Sequence, residues 1–164
     1  MCCAAGAGLV AGAWELAPFD TQMAAAGGHV LVNEAAVWPG GRFATAVLVV
    51  TARFLSAHPA MVNALLKGHV QGTDLLNTDR TLAQAAAGTE FTDLFGVSLP
   101  APLLTASFAQ ITFTNDPLAA TMLTETQHAA AAGLLKPTRS LAGLFDLSPL
   151  NKLLRAAGQI TIPG

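Results

Sequence analysis

An α/β fold is the class this sequence predicts, on three observations. Three β-to-α steps fall within roughly the first fifty residues, each an apolar run followed by a turn and a helical start. Among them, Phe43 to Thr51 is rich in Val, Leu and Thr without alternation, the pattern of a strand buried on both faces. From Ala52 onward the apolar spacing changes to that of helices.

The elements follow in order. Glycines at 6, 8 and 12 mark a turn that leads into a short strand, Gly12-Ala13-Trp14-Glu15. Pro18 opens a helix to Ala26, since a proline near a helix start loses no hydrogen bond, and Gly27-Gly28 ends it. His29 to Asn33 is the second strand, Trp38-Pro39-Gly40-Gly41 a turn, and Phe43 to Thr51 the third strand. Ala52 to Ala57 is a short helix. Pro59 starts a longer one to about Asn77, with Val62, Leu65, Leu66, Val70, Thr73 and Leu76 on one face. Asn77-Thr78-Asp79 caps a helix from Arg80 to Ala87, which Gly88 stops. Ala101 to Gln110 is helical, and Ile111 to Thr114 is a strand or extended connector. Asn115-Asp116-Pro117 launches a helix to about Ala132; Gly133 ends it and Lys136-Pro137 prevents its resumption. Ser148-Pro149 begins the last helix, closed at Gly158, with Leu150, Leu153 and Leu154 inward and a loose tail from Gln159.

Composition bounds the function. With 164 residues, 52% of them hydrophobic, the chain is long enough for one domain with a core. Only 11% are charged, the net charge is -2, and no stretch is dominated by Lys or Arg, which excludes DNA and RNA as partners. The longest strongly apolar run, Ala44 to Val50, is too short to span a membrane. Residues 1–6 carry neither the basic nor the long apolar region of a secretory signal peptide. Cys2 and Cys3 are adjacent, a geometry that disfavours a disulfide between them.

Several motifs in order carry a resemblance: Gly12-Ala13-Trp14-Glu15, Gly28 to Val32, Trp38-Pro39-Gly40-Gly41-Arg42-Phe43, Phe54-Leu55-Ser56-Ala57-His58-Pro59, Ile111 to Pro117, and Ala131 to Pro137. From about Val10 to about Gly158 the chain resembles the C-terminal half of the substrate-binding proteins of bacterial ABC importers for aliphatic sulfonates, a group with taurine- and nitrate-binding relatives. The resemblance implies a partial, helix-rich periplasmic-binding-protein type II fold of the α/β class, its first lobe incomplete. Residues 1–33 would end the second lobe and start the crossover, and residues 34–164 would complete the crossover and return to the first lobe. It implies a small anionic ligand of the alkanesulfonate, taurine or nitrate class, no cofactor, and ABC permease subunits as membrane partners. The site is that of an exported or lipid-anchored protein, whereas the chain as written, without a signal peptide, would stay in the cytoplasm. Where relatives continue Trp-Glu-Pro, this chain has Leu16 and reaches proline only at Pro18, which displaces the turn after the wall. Closure of two lobes over a ligand excludes water, so a receptor lacking one lobe is expected to bind small anions poorly.

The candidate ligand residues are Trp14 and Glu15. Trp14 either stacks on the ligand body or packs as core; Glu15 either accepts from a ligand amine or is a solvated turn charge. Arg42 either pairs with a sulfonate or is a surface ion, and Asn115 and Asp116 are most simply a helix cap. His29, His58, His69 and His128 lack metal-ligand spacing. A Gly-x-Ser-x-Gly elbow and a Gly-x-x-x-x-Gly-Lys-Ser/Thr phosphate loop are both missing, so the expectation is a binding protein and not an enzyme. Two alternatives stand beside it: an enzyme of the same superfamily fold, similar to a thiamine-precursor synthase, and a non-functional truncated chain. Phe43 to Val50 is expected to leave strand edges or apolar patches exposed, so that the chain associates.

Overall fold

The computed structural model describes residues 8–136 and 143–163. The expected α/β fold of periplasmic-binding-protein type II is not what these residues form: the ordered elements are helical, and among the described residues there is no strand or sheet. The helices are α1 (Phe19–Ala25), α2 (Ala52–Ala57), α3 (Pro59–Thr78), α4 (Arg80–Phe95), α5 (Ala101–Gln110), α6 (Ala119–Ala131) and α7 (Ser148–Ala156), with 3-10 turns at Glu34–Val37 and Pro39–Gly41. The four expected strands, 12–15, 29–33, 43–51 and 111–114, are non-helical connections without a ladder. The physical reason is that a helix closes its backbone hydrogen bonds within one segment, whereas a strand needs a second segment beside it. The Cys2-Cys3 pair and Pro137 lie outside the described residues.

Two bodies divide the chain. One is residues 1–32 with 75–113, the other residues 33–74 with 114–164, so α3 contributes to both. In the first body α1 and α4 each pack on α5. The ring of Phe19 meets Phe91 at 6.3 Å and Phe95 edge-on at 6.5 Å, which joins α1 to α4. Gln110 donates to Thr21 Oγ1 at 3.0 Å, and the Arg80 guanidinium donates to the Phe108 carbonyl at 2.9 Å. Ala83, Ser107 and Phe108 are buried there.

Helix α4 corrects one boundary. It does not stop at Gly88 but continues to Phe95 and ends on Gly96, a left-handed residue at φ 70 whose N–H donates to Thr92 O. A Cβ at Gly88 would lie 3.0 Å from Leu104 Cδ1, so the glycine is explained by close approach of α5. That packing outweighs a helix-propensity loss of about 1 kcal/mol. Asp79 caps α4 as expected, accepting from Leu82 N at 2.9 Å.

The second body centres on Val70 of α3 with Leu150 and Leu154 of α7, flanked by Leu147 and Ile162. Val62 and Thr73 are also buried, Leu66 and Leu76 are half-buried, and Leu65 is exposed, so the α3 stripe is buried only in part. The tail, expected to be loose from Gln159, is held at Gln159 and Ile162. Asn151 accepts from Ile162 N at 2.8 Å and donates to Ile162 O at 2.9 Å, and Gln159 donates to both carboxylate oxygens of Asp74.

Two substitutions test this core. Leu154, 1% exposed, is expected to cost about 3 kcal/mol when changed to Ala. Asn151→Ala, which strands two backbone groups of Ile162, is expected to cost about 1–2 kcal/mol, both read by urea unfolding followed by circular dichroism.

Candidate functional site

Trp14 and Glu15 lie in the first body on the non-helical segment before α1. Trp14 is 67% exposed and Glu15 is half-buried. The following turn is firmly made: Leu16 O accepts from Phe19 N at 2.9 Å and from Asp20 N at 3.3 Å, which anchors Leu16, the residue after the pair, to the start of α1. The indole therefore presents a large apolar surface to solvent rather than to the core.

Each body also carries an open groove. In the first, about 520 Å³ is bounded by Gln22, Ala25 and Ala26 of α1 and by Pro100, Pro102 and Leu103 at the start of α5. Its walls are almost wholly apolar, and Gln22 is the one lining side chain that forms strong hydrogen bonds. In the second, about 260 Å³ is bounded by Leu55, Pro59, Val62, Asn63, Ser148, Pro149 and Lys152. Two helix starts and a lysine meet there, a combination suited to anions. The chain's own carboxylate already serves the α7 end, however, since Asp146 Oδ1 accepts from Ser148 N at 3.1 Å. Pro59 and Pro149 contribute no N–H donors.

The best-connected polar and aromatic cluster is elsewhere in the second body, around Trp38 to Phe43. The Trp38 indole N–H donates to Glu34 Oε1, one helical turn earlier, and its ring lies 5.4 Å from Phe43 and 5.3 Å from His128 of α6. Asn33 caps the first 3-10 turn by accepting from Ala35 N at 3.0 Å. Arg42 forms an ion pair with Asp116 at 3.2 Å, and Thr121 of α6 donates to the Arg42 carbonyl at 3.3 Å. Asp116 has a second role, because its Oδ1 accepts from Leu118 N at 2.9 Å and steadies a non-glycine residue at φ 56. The helix itself begins two residues after Pro117, at Ala119. Of the alternatives for Arg42, the structure shows the ion: half-exposed and paired with a carboxylate rather than open to a sulfonate.

Sequence reasoning singled out Arg42 and Asp116 separately but missed their pairing, and it missed Glu34, Thr121 and the contact of His128. Only the i, i+4 spacing of Glu34 and Trp38 was a visible signal. The remaining contacts join segments more than seventy residues apart, for which no local pattern exists. Among the described residues no group of three His, Cys, Asp or Glu side chains could hold a metal ion, and no helix is long and apolar enough to cross a membrane.

The NMT1-like family profile matches residues 1–89, more than half of the chain. The chain belongs to the NMT1-like family. The matched part contains Trp14, Glu15, the Trp38-to-Phe43 motif and the segment up to the middle of α4. This is a family of sulfonate-, nitrate- and thiamine-precursor-binding proteins, which places this NMT1-like chain with proteins of the solute-binding type. No curated protein and no solved structure matches it.

Asp116 separates the two roles in this cluster. Asp116→Asn keeps an oxygen for Leu118 N–H and loses only a half-exposed ion pair, so the expected cost is about 0.5 kcal/mol or less. Asp116→Ala also loses the turn and is expected to cost about 1 kcal/mol more. Thermal unfolding of the two variants side by side measures the difference.

Proposed function

We propose that this chain is a solute-binding component, or a piece of one, of an ABC importer for small aliphatic sulfonates or related anions such as taurine and nitrate. It hands the ligand to membrane permease subunits, acts outside the cytoplasmic membrane, and binds rather than catalyses. The observation that carries this reading is the NMT1-like match over residues 1–89, together with the ordered motifs that lie inside it. The exposed indole of Trp14 supports it further, since a tryptophan with its face in solvent is available to stack on an alkyl chain. Glu15, its neighbour in sequence, would accept from the amine of a ligand such as taurine. An importer component needs affinity and release, and neither demands a nucleophile or a proton shuttle in contact with the ligand.

Tryptophan emission tests the reading directly. The chain has two tryptophans, so Trp38→Phe leaves Trp14 as the sole reporter. Titration of that variant with an alkanesulfonate, taurine and nitrate is expected to give a saturable change in emission for at least one of them, and Glu15→Gln is expected to weaken taurine more than the alkanesulfonate. Unchanged emission and no calorimetric heat at millimolar concentrations of all three would overturn the proposal for this chain.

A further inference from the structure

Residues 45–51, Thr-Ala-Val-Leu-Val-Val-Thr, contain no charge, glycine or proline and lie outside every helix. Among the described residues, none of the backbone groups of 45–50 forms a hydrogen bond with another backbone group, and the Thr51 carbonyl is taken by Leu55 N at 3.0 Å. Val47, Leu48, Val49 and Val50 are all exposed, Val49 by 73%. Unpaired N–H and C=O groups beside exposed β-branched side chains form a template for another strand. Two of the devices that block such pairing, a charge and a proline, are missing from these seven residues, and the one bend falls at their first residue, Thr45.

The segment also suggests its own partner. It reads nearly the same in both directions about Leu48. If two copies run antiparallel with Leu48 on the two-fold axis, Thr45 faces Thr51 of the second copy, Ala46 faces Val50 and Val47 faces Val49. Threonine pairs and β-branched pairs are favourable across strands, and no like charges meet. Moving the axis to between Val47 and Leu48 would carry Arg42 of one copy towards Arg53 of the other, a like-charge approach that disfavours the slipped register.

We propose that residues 45–51 form a homodimerisation strand, pairing antiparallel with the same residues of a second copy about Leu48. The ladder is the register-setting centre of the interface, and the surrounding exposed apolar residues of the same body supply additional area.

Sedimentation velocity on the full chain over a wide concentration range is expected to show a monomer–dimer equilibrium or a stable dimer. Leu48→Lys, an exposed position where two like charges would meet on the axis, is expected to weaken dimerisation by at least about tenfold while leaving the helical circular dichroism unchanged. In a Cys2→Ser, Cys3→Ser background, Leu48→Cys is expected to crosslink to itself on mild oxidation, because facing Cα atoms lie within disulfide reach. Ala46→Cys should not, since its two copies would stand about 13 Å apart along the ladder. A monomer at every concentration, a dimer indifferent to Leu48→Lys, equal crosslinking at both positions, or open-ended fibres would each overturn the proposal.

Discussion

Every backbone N–H and C=O removed from water must find a partner, and that requirement organises this chain more than any single side-chain contact. Helices meet it within one segment, and seven of them form among the described residues. The β-branched segments cannot meet it by themselves. Residues 29–32 and 45–50 remain as connections without backbone partners among the described residues, and Val30 to Val32 and Val47 to Val50 remain exposed with them; Phe113 is half-buried against Phe108, its carbonyl taken by Asn77. The small buried core, of which Val70, Leu150 and Leu154 are the centre of one body, follows from the same division.

Within that frame, a few long-range contacts do most of the joining. In one body Phe19 and Gln110 tie α1 to α4 and α5. In the other, Trp38, Arg42 and Asp116 hold the 3-10 turns against α6, and Asn151 clasps the tail. The Trp38-to-Phe43 motif, which lies within the NMT1-like match, is thus occupied with internal contacts. Trp14, by contrast, is 67% exposed. The division of labour between the two tryptophans is that one fixes structure and the other offers surface.

Membership of the NMT1-like family and a helical architecture stand together in this chain. The family match rests on residue identity along 1–89, whereas the absence of a ladder among the described residues rests on which backbone segments lie side by side. A sequence can retain strand-forming residues such as Val47 to Val50 while no second strand is present to receive their hydrogen bonds. Pairing between copies would satisfy the same groups that remain unmet within one.

The sequence by itself determined the features that are local. The bounds of α2 and α5, the start of α3, the Asp79 cap and the opening of α7 at Ser148 all follow from capping residues, proline and apolar spacing within a single segment. Family membership was legible too, because it depends on ordered motifs and not on contacts. Tertiary structure alone decided whether Phe43 to Thr51 becomes a strand, whether α4 passes through Gly88, whether Arg42 is open or paired with Asp116, and whether the tail is held. Each of these turns on a partner distant in sequence: a neighbouring strand, Leu104, Asp116 or Asn151. Local propensity states what a segment is able to form; only the arrival of that partner determines what it does form.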